Sequence, residues 1–312
     1  MKTIRIKHPH AKIDFPEMVI ALGFFDGVHK GHKEVILTAK KEAMKRQLKC
    51  GVMTFFPHPK EVLRKEKKVN YLTSLNKKEE LMFQLEIDYL IIIEFNEDFS
   101  DLNPQQFVDR YLIDFNIKHV VAGFDYSYGR LGKGTMETLP FHSRNKLTYT
   151  IVGKVEENGE KISSTSIRKA LSVGNLDKVT NFLGRYYETD GVVVEGEQRG
   201  RQIGFPTANI ASTNQTFIPD NGVYIVKIQI NNQWLPAVCN VGYKPTFHDK
   251  NKMDLTIEVH ILNYSKDIYG QKVKIQWIQK MRNEVKFESV NDLVNQLKKD
   301  VFNAKYFFQT SE

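Results

Sequence analysis

The feature that most constrains the fold of this 312-residue chain is a change of hydrophobic period near Arg185. Before it, short apolar runs alternate with stretches of helical spacing; after it, the spacing is almost purely two-residue. Glu17 to Phe25 is a β-like run, and Gly31 to Gln47 places Val35, Ile36, Ala39 and Ala43 on one helical stripe. Further runs at Gly51 to Phe56, Tyr89 to Phe95 and Lys118 to Phe124 read as buried strands. A helix from Pro104 to Phe115 lies between the last two, with Pro104 suited to its first turn. This order predicts βαβ units, a Rossmann-like parallel sheet, and ligands beyond the carboxyl ends of its strands. Residues 1–185 form that α/β domain.

In residues 186–312, Gly222 to Ile230 sets Tyr224, Val226, Ile228 and Ile230 on one face. Asp254 to Leu262 likewise aligns Leu255, Ile257, Val259 and Ile261, which turns Glu258 away from the apolar side. Val192 to Glu195, Ala237 to Val241 and Val273 to Trp277 complete an antiparallel barrel or sandwich. A terminal helix follows, capped by Ser289 with Asp292, its buried stripe expected at Val290, Leu293, Val294, Leu297 and Val301.

Composition narrows the class. Net charge is +8, nearly all of it before residue 186, and much of it between His58 and Lys78. There Lys60, Arg64, Lys65, Lys67, Lys68, Lys77 and Lys78 cluster with few aromatics, which reads as a solvated surface loop, or as steering of polyanionic substrates, rather than a nucleic-acid patch. No apolar stretch reaches the roughly 20 residues of a bilayer span, and Met1 to His10 lacks a signal-peptide core, so a cytoplasmic protein without a membrane partner is expected. Cys50 and Cys239 lie far apart, consistent with buried thiols and not with a disulfide or zinc site.

Two local signatures carry chemistry. Gly23-Phe24-Phe25-Asp26-Gly27-Val28-His29-Lys30-Gly31-His32 closes a strand and opens a helix, where backbone N–H groups and the positive helix end favour a phosphate. His29 and His32 are placed to donate to an α-phosphate as charge builds on it; structural or metal-binding histidines are the plainer alternative. Lys161-Ile162-Ser163-Ser164-Thr165-Ser166-Ile167-Arg168 offers hydroxyls and an Arg at a helix start, a good pyrophosphate clamp where a simple N-cap is the alternative. His29-Lys30-Gly31-His32 resembles the H-x-G-H signature of the nucleotidyltransferase superfamily, and the Ser163 to Arg168 segment resembles its I-S-S-T-x-I-R element. Thr54-Phe55-Phe56-Pro57-His58-Pro59 and Gly123-Phe124-Asp125-Tyr126-Ser127-Tyr128-Gly129-Arg130 resemble the strand-end loops of bacterial FAD synthetases, which bind adenine nucleotide and flavin. Phe55, Phe56, Phe124 and Tyr126 are equally suited to the core. Gly129, Gly132 and Gly134 form neither a P-loop nor a dinucleotide fingerprint and read as a flexible loop.

In the second half, Gly204-Phe205-Pro206-Thr207-Ala208-Asn209 resembles the G-F-P-T-A-N element of riboflavin kinases; Asn240 to Phe247, which includes Thr246, and Glu258-Val259-His260 resemble later elements. The resemblance implies an α/β nucleotidyltransferase domain followed by an antiparallel β-barrel with a terminal helix. It also implies a bifunctional riboflavin kinase and FAD synthetase, using ATP, Mg²⁺, riboflavin and FMN and giving FAD. On it, Thr207 and Asn209 hold Mg²⁺ and ATP phosphates, and Glu258 is the general base for the ribityl alcohol. Glu197-Gln198-Arg199-Gly200-Arg201 is suited to fold around phosphates, and Arg282, Glu284 and Phe287 resemble a flavin-flanking element, although a surface ion pair is an alternative for the first two. The expected catalytic groups are thus His29, His32, Arg168 and Glu258. Ligand contacts are expected from Gly23, Phe24, Phe25, Asp26, Gly27, Gly31, Thr54, Phe56, His58, Pro59, Asp125, Tyr126, Tyr128, Ser163, Ser164, Thr165 and Ser166 in the first half. In the second they are expected from Arg199, Gly200, Arg201, Gly204, Pro206, Asn240, Arg282 and Glu284. Phe24 stands where many relatives of this kind carry Asn, and Trp277 where they carry Phe. The alternatives are a monofunctional kinase with an inactive adenylyltransferase domain, or a flavin-sensing or RNA-binding regulator. The expected partners are small molecules with no nucleic acid, acting on a monomer, with an oligomer left open.

Overall fold

The apolar runs of the first half become strands of one parallel sheet. The computed structural model describes residues 1–63, 69–196, 199–213, 215–245 and 253–310, and the chain divides by internal contacts into residues 1–164 and 165–312. The first unit runs β1 (Lys2–Lys7), β2 (Met18–Leu22), α1 (Lys30–Arg46), β3 (Lys49–Phe56), α2 (Pro59–Leu63), α3 (Leu75–Gln84), β4 (Tyr89–Glu94), α4 (Glu97–Ser100), α5 (Pro104–Val108) and β5 (Ile117–Gly123). It continues through a ribbon of β6 (Ser127–Tyr128) and β7 (Gly134–Thr135), then α6 (Leu139–Ser143), β8 (Thr148–Val152), and a ribbon of β9 (Glu156–Glu157) and β10 (Glu160–Lys161). The sheet order is β1-β4-β3-β2-β5-β8, every neighbouring pair parallel. From β2 the chain steps outward to β3 and β4, then returns to lay β5 on the other side of β2. Strand order therefore reverses between β2 and β5, the place where open parallel sheets bind ligands.

Strand β2 is buried on both faces, as a central parallel strand must be. Met18, Ile20 and Leu22 pack with Tyr111, Phe115 and Val120, while Val19 and Ala21 meet Val35, Ile36, Ala39 and Ala43 of α1. The helix expected from Pro104 begins with an Asn103–Gln106 capping box and continues from α5 as a π-turn over Asp109–Ile113. The charged, alternating Met1 to His10 segment, which sequence reading did not assign as a strand, supplies the edge strand β1.

The second unit opens within α7 (Ser164–Leu171), whose first residue closes the first unit, and continues with α8 (Leu176–Leu183). Then come β11 (Tyr187–Val194), α9 (Arg199–Gln202), β12 (Ala208–Ser212), β13 (Gly222–Ile230), β14 (Gln233–Pro245), β15 (Met253–Ile261), β16 (Lys272–Arg282) and α10 (Val290–Thr310). The strands close in the order β11-β12-β15-β14-β13-β16, and β11 pairs antiparallel with both β12 and β16, so the choice between barrel and sandwich falls to the barrel. Tyr187, Tyr224 and Trp277 fill its interior; the Trp277 indole donates to Thr189 Oγ1 at 2.9 Å, which accommodates the larger ring. Outside, α10 brings Val301, Phe307 and Phe308 onto Val223, Ile225, Val238 and Ile278.

Two differences from the sequence pattern have plain causes. Contacts divide the chain at residue 164 because α7 and α8, helical in period, pack with the barrel: α8 buries Leu176, Val179, Phe182 and Leu183 and lies against β11 and β16. The α10 stripe is centred on Asp300 and Ala304, both buried, while Val290 at its first turn is 63% exposed.

Candidate active sites

After Leu22 the chain turns through Gly23 to Val28 into α1, and this turn is strained. Phe25 (φ 50°) and Val28 (φ 41°) are left-handed without being glycine; for a β-branched residue such a conformation costs on the order of 1–3 kcal/mol and persists only where packing dictates it. Both side chains are buried. The strain delivers His29 to the N-cap of α1, where its Nδ1 accepts from the His32 N–H at 3.2 Å. The two imidazoles stack with centroids 3.5 Å apart and planes 18° from parallel. A Cβ on Gly31 would meet the His29 ring at 3.2 Å, so glycine there is what lets the ring lie against the helix start. Two imidazoles thus sit at the positive end of a 17-residue helix.

The second signature reaches the same turn: Ser164 Oγ donates to the Asp26 carbonyl at 2.9 Å. Ser163 is half-buried beside it in sequence, while Thr165, Ser166 and Arg168 belong to α7 in the second unit. The Asp26 carboxylate itself turns inward and accepts from Leu72 N–H at 2.9 Å and Thr73 N–H at 3.2 Å. At the end of β3, Thr54 is fully buried and donates to the Phe24 carbonyl at 2.9 Å. Phe55 joins the core, Phe56 is exposed, His58 meets the Phe24 ring edge-on at 4.5 Å, and Pro59 opens α2. Beyond β5, Phe124 is 46% exposed with Lys161 Nζ 4.5 Å from its ring, and the same Nζ pairs with Asp125 at 2.8 Å. Tyr126 is half-buried; Tyr128 is a core residue, stacked on Phe107 with its hydroxyl 2.9 Å from His142 Nδ1. Gly129, Gly132 and Gly134 lie in the β6–β7 ribbon and its 3-10 turn, Arg130–Gly132.

In the barrel, strand register assembles the second site. Asn209 on β12 lies opposite Glu258 on β15, and Glu258 lies opposite Asn240 on β14. Directly paired residues share a face, and Asn240 also pairs with Val223 of the outer apolar patch. The row therefore lines the outside of the wall while Ile257, Val259 and Ile261 are buried. Glu258 is half-buried. Asn240 Nδ2 donates to Glu284 Oε1 at 3.3 Å. Arg282 is engaged elsewhere: its guanidinium donates to both carboxylate oxygens of the buried Asp300, at 3.0 Å from Nε and 2.7 Å from Nη2. Gly200 and Arg201 form α9, and Gly200 accepts from Phe205 N–H at 2.8 Å, folding Gly204 to Thr207 back toward β12. His260 Nδ1 donates to the Pro206 carbonyl at 2.8 Å and fixes the peptide before Thr207. The backbone of Gly196 lies so close to Asn209 that a Cβ would come within 2.0 Å of Nδ2. Glu197, Gln198, Thr246 and Phe247, like Arg64, Lys65, Lys67 and Lys68, lie outside the described residues, as does the side chain of Arg199.

Each unit has its own counterpart among known proteins. A family model for FAD synthetase matches residues 12–166, and one for riboflavin kinase matches residues 183–308. The bifunctional riboflavin kinase/FMN adenylyltransferase of Bacillus subtilis is 44% identical over 311 residues, covering 99% of this chain and 98% of that protein. The chain belongs to the bifunctional riboflavin kinase/FMN adenylyltransferase family. Proteins of the same description from Listeria monocytogenes and Escherichia coli K12 are 44% and 33% identical, covering 100% and 99% of this chain and 100% and 98% of their own. A solved structure described as a macrolide-efflux protein from Streptococcus pneumoniae shares the fold, with a TM-score of 0.87, 36% identity, and coverage of 97% of this chain and 98% of that one. Among the described residues here, no helix is long and apolar enough to cross a membrane.

For a family member that handles ATP, the donor set at β12 is informative. Among the described residues no three His, Cys, Asp or Glu side chains converge as a metal cage. Thr207 and Asn209 offer a hydroxyl and an amide oxygen in the stretch that follows α9, hard donors too few to bind an ion alone. Such a set fits Mg²⁺, which keeps waters and takes substrate phosphates as its other ligands. Sequence reasoning missed Lys78, counted with the solvated basic cluster: it is 2% exposed. The available signal was its place with Leu81 and Met82 on the buried face of α3. It also missed Asp300, hidden by its charge in an otherwise apolar stripe, and the His260 contact, which depends on how a distant loop folds back.

Proposed function

We propose how the two activities of this family divide over the chain: the barrel converts riboflavin and ATP to FMN and ADP, and the parallel-sheet unit converts FMN and a second ATP to FAD and diphosphate. The observation that supports this most is a separate polar site in each unit, one at the sheet's switch point and one on the outer barrel wall. In the first, α1's N-terminus and the Gly23 to Gly27 turn bind the triphosphate. His29 and His32 donate to the α-phosphate as its oxygens gain charge, and the 5′-phosphate of FMN attacks without a covalent protein intermediate. Ser163 and Ser164, at the end of the same unit, hold the leaving diphosphate. Phe56, Phe124 and Tyr126 flank the flavin or adenine rings.

In the barrel, Glu258 takes the proton of the ribityl 5′-hydroxyl as it attacks the γ-phosphate. Asn209 and Asn240 flank the carboxylate, Gly200, Arg201, Gly204 and Pro206 shape the phosphate turn, and Glu284 borders the flavin. Thr207 and Asn209 would hold Mg²⁺, which when bound neutralises phosphate charge. Arg282 acts at one remove, fixing the Glu284 segment through Asp300. The setting we assign is the cytoplasm, with a monomer as the working unit and no nucleic-acid partner.

The experiment is direct. Purified chain with riboflavin, ATP and Mg²⁺ is expected to give FMN first and FAD second by chromatography; FMN alone would reduce the first unit to an inactive domain, and neither product would reject the assignment.

A further inference from the structure

We propose that Lys78 is a positioning residue for adenylyl transfer, a buried ammonium that fixes the nucleotide turn from behind and whose charge is favoured when a polyphosphate docks there. The proposal rests on assigning the first site to nucleotide binding. Lys78 projects from α3 into the protein, and its Nζ donates to the Phe24 carbonyl at 2.8 Å and to Thr54 Oγ1 at 3.4 Å. It also stands 4.6 Å from the centroid of the Phe24 ring. Because Thr54 donates to the same carbonyl, the ends of β2 and β3 and the helix close into one triangle. The tie is reciprocal: the Asp26 carboxylate, two residues further along the turn, binds the Leu72 and Thr73 N–H groups just ahead of the α3 N-cap, Ser74. Turn and helix thus hold each other at both ends.

A methionine would fill the same space without the cost of burying a charge, and the direct partners of Nζ are a neutral carbonyl, a hydroxyl and a ring. The titratable groups facing this region are Asp26 on the turn, His58 and Tyr71 around the Phe24 ring, and Glu61, which accepts from Tyr71. Asp26 favours the ammonium, yet burial outweighs it and lowers the Lys78 pKa to about 8. The charge is therefore only loosely held, and phosphates arriving at the turn strengthen it. By linkage, protonation of Lys78 tightens nucleotide binding to the same extent.

The test uses the full chain, following FAD formation from supplied FMN against ATP concentration from about pH 7 to about pH 9. In wild type, the KM for ATP should rise as pH passes about 8. Lys78→Met should raise that KM roughly tenfold or more at neutral pH, with a smaller effect on kcat, and abolish the pH step. Lys78→Arg, which keeps its charge, should restore most of the affinity with no step. FMN formation from riboflavin, a barrel activity, should be unchanged in both variants, and wild-type-like amide-exchange protection of β2 and β3 shows that the parallel-sheet unit around Lys78 is folded. A wild-type KM flat across this range overturns the proposal without any variant, as does a folded Lys78→Met or Lys78→Arg that retains the step. His29→Ala in the same assay separates two failures. If it abolishes FAD synthesis while Lys78→Met does not, only the role of Lys78 falls; if it too leaves FAD synthesis intact, the nucleotide assignment of the turn falls.

Discussion

At the residue scale, the two sites contrast chemically, a stacked imidazole pair on a strained turn against the Glu258 carboxylate on a barrel wall. Replacing His29 and His32 together by Ala should slow adenylyl transfer roughly 10²-fold or more while FMN accumulates. Glu258→Gln should do the opposite, stopping FMN formation from riboflavin and sparing FAD formation from added FMN. Chromatography of the two products separates the outcomes, and equal loss of both activities in either variant would defeat the division. Thr207→Ala or Asn209→Ala should weaken only the kinase, most visibly at subsaturating Mg²⁺, read as a shifted Mg²⁺ dependence of riboflavin phosphorylation. Most residues of the two proposed sites were legible in sequence because their signatures span a few consecutive positions: His29 to His32, Ser163 to Arg168, Gly204 to Asn209. Lys78 was not, because its burial is decided by how α3 lies on the ends of β2 and β3, and nothing local distinguishes it from Lys77.

At the scale of elements, polar side chains join pieces that apolar packing alone would leave free to slide. His119 on β5 reaches Thr148 Oγ1 at 2.7 Å and Thr150 Oγ1 at 2.9 Å on β8, and accepts from Arg46 at the end of α1 at 3.2 Å. With Arg46 donating to Nδ1, the neutral ring carries its proton on Nε2. Burial, helped by Arg46 and Lys45, lowers its pKa to about 4. The folded state therefore binds fewer protons than the unfolded chain between about 4 and the ordinary 6.5, and stability is lost as pH falls through that window. The loss should be on the order of 3 kcal/mol at most, seen as a falling midpoint in urea titrations; His119→Gln should flatten it. In the barrel unit, Asp300→Ala would strand the Arg282 guanidinium and should cost on the order of 3 kcal/mol of stability, measurable by the same titration. Strands β2 to β5 and β13 to β16 were visible as apolar runs and alternations. The edge strand β1 was obscured by its charges, and α7 and α8 by a period that says helix without saying which unit the helix will join.

At the scale of the molecule, the contact division at residue 164 and the start of the riboflavin kinase match at residue 183 make different predictions about what folds alone. We expect a fragment of residues 165–312 to fold and phosphorylate riboflavin. One beginning at Leu183 should melt several degrees lower, since removing Leu176, Val179 and Phe182 bares the surface of β11 and β16 that α8 covers. Thermal melts of the two fragments decide it; equal melting temperatures would return the boundary to the change of period at Arg185. The barrel itself has a wall one residue thick, and this gives its strands two independent vocabularies. Along β15, Ile257, Val259 and Ile261 are fixed by volume, whereas Thr256, Glu258 and His260 look outward, where Thr256 donates to the Gly242 carbonyl of β14 at 3.3 Å and His260 to the Pro206 carbonyl. A library confined to outward positions should therefore keep nearly every member folded while scattering their activities, and one confined to inward positions should yield clones that either fold and work or do neither. For anyone wishing to redirect this barrel to another alcohol, the even-numbered positions of a single strand are the ones to randomise.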